Sequence, residues 1–163
     1  MREFRRSLPS RLLTRRTAVA GAGALLFGAA LPLPASADYE DDGNAAAALD
    51  HIANGRRITP GRVKLVLPEL AENGNVVALA VEVESAMTAA DYVKTIHIVA
   101  GQNPLAIVAR YHFGPRSGRA RVQSTIRLAT TQTVTAVAEM SDGTLFSGTM
   151  SVLVTLSACL DGG

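Results

Sequence analysis

From Val63 to Leu156 the chain repeats one pattern: a short run in which apolar and polar residues tend to alternate, then a cluster of turn formers. Val63, Leu65 and Leu67 alternate with Lys64 and Val66 before Pro68 closes the run. The runs Val76–Glu84, Tyr92–Ala100, Leu105–Phe113, Arg119–Leu128, Thr131–Met140 and Thr144–Leu156 follow. A period of two is the mark of an extended segment with one buried face. The separators carry turn chemistry. Asn73-Gly74 joins two residues that tolerate positive φ, Asn103-Pro104 breaks a strand, and Ser141-Asp142-Gly143 suits a hairpin. About seven strands at intervals of roughly a dozen residues leave no room for βαβ crossovers. The expected fold is all-β, an immunoglobulin-like antiparallel β-sandwich with a short N-terminal helix.

Strict alternation through Tyr92–Ala100 puts Val93, Thr95, His97 and Val99 on one face and Tyr92, Lys94, Ile96 and Ile98 on the other. Upstream the period is helical. Asn44 can cap a helix over Ala45–Ile52, with Gly55 as the stop signal. Asp38–Gly43 is an acidic leader expected to be mobile. Aromatics make up 4% of the chain and tryptophan is absent, so Val, Ile, Leu and Ala must build the core.

The first 37 residues read as a targeting segment. Arg15-Arg16 stands directly before an uncharged run rich in Ala and Gly from Ala18 to Leu33, and Ala35-Ser36-Ala37 offers the small residues of a cleavage site. The run is too short and too rich in glycine for stable membrane insertion. A twin-arginine signal with a mature start at Asp38 is expected, a general secretory signal being the alternative, and either leads to the periplasm. Six of the 16 Arg and Lys and one of the 14 Asp and Glu precede residue 38, leaving 10 basic and 13 acidic side chains. The basic pI therefore belongs to the signal. With no basic stripe left, no nucleic-acid partner is expected.

No catalytic constellation stands out. His51, His97 and His112 lack metal-ligand spacing and read as surface or strand-face residues. Glu69 with Glu72, and Glu82 with Glu84, lack a recognisable acid–base partner. Neither a metal nor a cofactor is expected. Cys159 is the one cysteine, so no internal disulfide is possible, and in an oxidising compartment its thiol pairs outside the chain or stays free. It follows the last expected strand by three residues, which would carry the sulfur about 10 Å past the sheet edge. Asp161 and the terminal carboxylate disfavour a thiolate, so the thiol pKa is expected at or above about 8.5. Such a thiol suits a carrier loaded by a partner better than a self-sufficient enzyme.

From the helix near Ala46 onward the chain resembles the SoxY family, the sulfur-carrying subunits of periplasmic thiosulfate oxidation. The resemblance rests on Leu67-Pro68-Glu69-Leu70-Ala71-Glu72-Asn73-Gly74, Asp91-Tyr92-Val93, Asn103-Pro104, Arg127-Leu128-Ala129, Ser141-Asp142-Gly143 and Val154-Thr155-Leu156 leading to Cys159. It implies a non-enzymatic carrier that pairs with a SoxZ-like subunit as a heterodimer. Cys159 would hold the substrate sulfur covalently while a c-type cytochrome and a sulfate-releasing hydrolase work on it. The domains implied are the signal 1–37, the sandwich 38–156 and a flexible carrier arm 157–163. In the family the cysteine sits between pairs of glycines. Here Ser157 and Ala158 precede it, Leu160 and Asp161 follow, and Gly162 and Gly163 close the chain.

A reading from another class is an immunoglobulin-like binding or assembly module whose cysteine is structural or dimer-forming. Redox catalysis by Cys159 comes third, since no resolving cysteine accompanies it.

Overall fold

The computed structural model describes residues 43–158. The signal 1–37, the leader residues 38–42 and, of the expected arm, Cys159, Leu160, Asp161, Gly162 and Gly163 lie outside the described residues.

Helix α1 (Ala45–Ala53) starts where capping chemistry places it: the Asn44 side chain accepts from the backbone N–H groups of Ala46 and Ala47. It stops at Asn54, which is left-handed, followed by Gly55 at φ +75°. Nine strands follow among the described residues: β1 (Ile58–Pro60), β2 (Val63–Val66), β3 (Leu70–Asn73), β4 (Val77–Val83), β5 (Val93–Ala100), β6 (Ile107–His112), β7 (Ala120–Ile126), β8 (Gln132–Met140) and β9 (Leu145–Leu156). They form two layers. The larger sheet runs β1-β9-β8-β5-β6 with β3 also on β9, and the smaller runs β2-β4-β7. The core lies between them. Ile96, Ile98, Val134 and Val152 of the larger sheet meet Val77 and Val81 of the smaller. Helix α1 covers the opposite face of the larger sheet, with Ala48 and Ile52 against Val99, Val137 and Leu145.

The all-β, immunoglobulin-like reading holds, with three refinements. First, β1 and β3 are additional, and both pair parallel with β9. The chain from Ile58 to Asn73 joins the edge of β9, crosses to the smaller sheet as β2, and returns. At the crossing a Cβ on Gly148 would overlap the Val63 carbonyl oxygen, so β9 accepts this close approach only with glycine there.

Second, β5 does not alternate strictly. A bulge between Val93 and Thr95 turns Val93 into the core beside Ile96 and Ile98, and leaves Thr95, His97 and Val99 on the other face. Third, the Asn73-Gly74 turn forms without positive φ at either residue, so that expectation is corrected. The Asn73 side chain accepts from the Asn75 N–H at 2.9 Å, and the reason for the glycine lies elsewhere. Ser141-Asp142-Gly143 behaves as its chemistry dictates: Gly143 has φ +85°, and the Met140 N–H donates to the Thr144 carbonyl at 2.9 Å.

Candidate functional site at the root of the C-terminal segment

Strand β9 delivers the chain's last described residues to one end of the sandwich, where three loops, 74–76, 101–106 and 127–131, close around them. β3 runs beside β9 in parallel register, Leu70 against Leu153 and Asn73 against Leu156. The Thr155 hydroxyl donates to the Glu72 carbonyl at 3.1 Å and the Leu153 N–H to the Glu69 carbonyl at 2.9 Å. Beyond Asn73, Gly74 stands between two other segments. Its N–H donates to the Leu156 carbonyl at 2.7 Å, and its carbonyl accepts from the Leu128 N–H at 2.8 Å. A Cβ on Gly74 would overlap the Leu128 carbonyl oxygen and stand 2.8 Å from the Ala158 nitrogen. Gly74 is therefore a glycine of close approach rather than of φ.

The loop 127–131 is held from the other side. Asn103 donates from Nδ2 to the Arg127 carbonyl at 2.8 Å, while its Oδ1 accepts from the Ala129 N–H at 2.9 Å and from Gln132 Nε2 at 3.0 Å. Gln132, buried, accepts from the Gln102 N–H at 2.9 Å, tying the β5–β6 loop to the start of β8. The Thr131 hydroxyl accepts from the Val154 N–H at 2.9 Å. Every polar group of these turns that the collar uses finds a partner, which is what fixes an irregular backbone in place.

Of the expected arm, Ser157 is exposed, whereas Ala158 is only 3% exposed and donates its N–H to the Leu128 carbonyl at 3.3 Å. The anchored chain thus extends two residues beyond the strand, to Ala158. Three large apolar side chains on the segments that meet here stay exposed: Leu156 at 69%, Val76 at 65% and Leu105 at 59%.

The three histidines lie within electrostatic reach of one another, His51 and His112 both adding to the downward shift at His97. His51 lies on α1 and His112 on β6, where its Nδ1 stands 3.1 Å from the Thr95 hydroxyl. His97 is half-buried on β5, and burial, helped by the positive charge of Arg110, pulls its pKa down from 6.5 to about 4 against the opposing pull of Glu139. Among the described residues no group of three or more His, Cys, Asp or Glu could hold a metal ion, and no helix is long and apolar enough to cross a membrane. Glu69, Glu72, Glu82 and Glu84 are exposed.

Sequence reasoning singled out the tail and missed its collar. Gly74, Asn103 and Leu128 were visible only as turn markers and as segments of the resemblance. In space those segments are neighbours: residues 73–74, 103–104, 127–129 and 154–156 all meet at the tail root. Asp91-Tyr92 meets Ser141 at the opposite end, where the Ser141 hydroxyl accepts from the Tyr92 N–H at 3.2 Å.

The fold defines the class: an immunoglobulin-like β-sandwich whose last strand leads directly into the segment that holds the chain's one cysteine. The family model for sulfur oxidation protein SoxY matches residues 50–159, ending on Cys159, and the chain belongs to the SoxY family. Among solved structures it is similar to the sulfur carrier protein SoxY from Chlorobium limicola f thiosulfatophilum, at 25% identity and a TM-score of 0.55, over 69% of this chain and all of that one. It is also similar to a superoxide reductase (neelaredoxin) from Ignicoccus hospitalis, at 17% identity and a TM-score of 0.53, over 61% of this chain and 97% of that one. The second likeness is one of fold alone. No curated protein matches the chain.

Proposed function

We propose that this protein is a non-enzymatic periplasmic sulfur carrier that holds oxidation intermediates covalently on Cys159 and presents them to partner enzymes. One observation carries the reading: the family match extends to Cys159 itself, the chain's one thiol, placed just past an anchored tail root. The expected cargo is the terminal sulfur of thiosulfate. Joining it to the cysteine sulfur removes two electrons, which a c-type cytochrome partner accepts, while the thiol proton leaves to solvent. Water then releases sulfate in the hydrolase. The carrier supplies no base or metal to these steps and needs only to hold the sulfur.

Export through the twin-arginine signal 1–37 places the domain where those partners work. A SoxZ-like subunit completes the heterodimer, and the exposed apolar side chains of Val76, Leu105 and Leu156 offer surface against which a partner can dock. The non-glycine tail, with Ser157 and Ala158 before the thiol and Leu160 and Asp161 after it, makes a stiffer arm than a glycine tail.

The test is intact mass after incubation with thiosulfate and the loading partners. An adduct on the native chain, absent in Cys159→Ser with an unchanged melting midpoint, is the expected result. An unmodified mass with the cysteine reduced sinks the reading. The burial of Ala158 favours a second reading, an assembly module with a structural or dimer-forming cysteine. Slow thiol labelling of the native protein, accelerated only by unfolding, would select it.

A further inference from the structure

The core is sealed unevenly. Val134, Ala136 and Ala138 on β8, in the middle of the larger sheet, are 0% exposed, whereas Val108, Ala109 and Tyr111 on β6 pack against the same core and are only partly buried. The difference is one of place in the sheet. β6 ends the larger sheet and β7 ends the smaller, and among the described residues no strand lies beyond either. Between these two edges runs a groove of about 530 Å³ whose walls include Leu105, Val108, Ala109, Tyr111, Ile126 and Arg127. A volume of this order is that of a small-molecule site, mostly apolar with a few placed polar groups.

The charge on the walls narrows the choice of ligand. Arg127, the residue after β7, is the one charged residue among them, and no Asp or Glu lines the groove. It is exposed, and among the described residues no carboxylate stands within 4 Å of its guanidinium; the ion pairs formed are Arg56–Glu139, Arg62–Asp91 and Lys94–Glu139. An apolar slot with a single cation on its wall matches a molecule with an apolar body and one anionic end. The body removes the exposed core side chains from water, and the guanidinium fork meets a carboxylate or sulfonate. A peptide strand suits the site less well, because the β6 edge carries Arg110 and His112, both exposed, and a charged edge opposes strand addition.

We propose that the β6–β7 groove binds a free single-chain amphiphilic anion, a long-chain carboxylate or sulfonate, with its chain against Val108, Ala109, Tyr111 and Ile126 and its head on Arg127. The site makes no use of Cys159. It shares a loop with the tail root all the same: the Arg127 carbonyl accepts from Asn103 Nδ2, and the carbonyl of the next residue, Leu128, accepts from the Ala158 N–H. A head group held at Arg127 therefore bears on the neighbour of the residue that anchors the tail.

Dodecanoate, kept below its micellar concentration, is the probe. On the full exported protein it should displace the dye anilinonaphthalene sulfonate from one site per chain and raise the melting midpoint in step with its concentration, as a ligand of the native state does. Dodecylammonium, of equal length and opposite charge, should bind about tenfold more weakly, and Arg127→Glu should weaken dodecanoate by a similar factor, the loss of one charge-assisted contact. The collar uses the backbone of Arg127 and not its side chain, so this variant should fold. Should it melt early, Leu105→Glu, at a residue 59% exposed, sets a negative charge on the groove wall instead. Absence of dye binding together with an unmoved midpoint in dodecanoate overturns the proposal. Equal affinity for the two head groups, or affinity untouched by either variant, overturns it as well. Dye binding that fades as protein concentration rises assigns the groove to a second copy, and cosedimentation with phosphatidylglycerol vesicles without binding of free dodecanoate assigns it to a lipid surface; both outcomes overturn the free anion.

Discussion

Gly74 and Leu156 are joined by a 2.7 Å backbone hydrogen bond, and the absence of a Cβ at residue 74 is what lets the last strand, the Leu128 loop and Ala158 lie against one another. Gly74→Ala must displace backbone rather than a flexible side chain. Overpacking of this kind costs about 1–3 kcal/mol. The expected result is a lower urea midpoint with an unchanged m value, together with faster amide exchange at Ala158; an unaltered midpoint would show that the collar yields without strain.

Asn103 makes three side-chain hydrogen bonds, to Arg127, Ala129 and Gln132, the last of these buried. Asn103→Ala leaves those partners unsatisfied and is expected to destabilise by about 1–3 kcal/mol. Asn103→Asp keeps the acceptor but sets a carboxylate oxygen against the Arg127 carbonyl, so it should recover only part of the loss. Thermal melts of the three proteins at one pH rank them.

His97 titrates at about 4 rather than 6.5 because burial, with Arg110 next in effect, opposes its charged form. Its folded pKa is depressed, so between about 4 and 6.5 the unfolded chain binds the proton and the folded protein does not. Stability then rises with pH through that window and is complete above it. The partial exposure of the ring limits the effect to about 1–3 kcal/mol. Urea midpoints at pH 5 and pH 7 should differ in the parent, and His97→Gln should flatten that difference.

Glu139 tests the acid side. Burial raises its pKa, but the hydrogen bonds from Lys94 at 3.0 Å and Arg56 at 3.1 Å outweigh it, and the net shift is downward. A depressed carboxylate contributes stability above the ordinary carboxylate range and loses it as pH falls through the folded pKa. Arg56 also donates to the carbonyls of Ile52, Ala53 and Gly143, so the cluster ties α1 to the β8–β9 hairpin. Glu139→Gln should be less stable than the parent at pH 7 and equal to it near pH 3; a constant difference across that range would assign the effect to packing instead.

The covalent role stands or falls separately. Cys159→Ser should abolish adduct formation while leaving the melting midpoint within experimental scatter, the outcome a carrier thiol requires. A large loss of stability in this variant would place the sulfur in the core and remove the carrier reading.

Local chemistry alone determined a good deal of this protein. The Asn44 cap and the Gly55 stop bound the helix, the period-two runs became seven of the nine strands, and Ser141-Asp142-Gly143 set the β8–β9 hairpin, because each depends on residues close in the chain. The thiol worth watching, Cys159, was equally plain from its being alone. Tertiary structure decided the rest. β1 and β3 are only three and four residues long and exist through parallel pairing with β9, a partner more than 80 residues away, so no local pattern announces them. The bulge in β5 that turns Val93 inward depends on register with β8. Gly74, Asn103 and Leu128 became a collar only when folding brought together segments that are remote in sequence, since close approach and hydrogen-bond satisfaction are properties of neighbours in space.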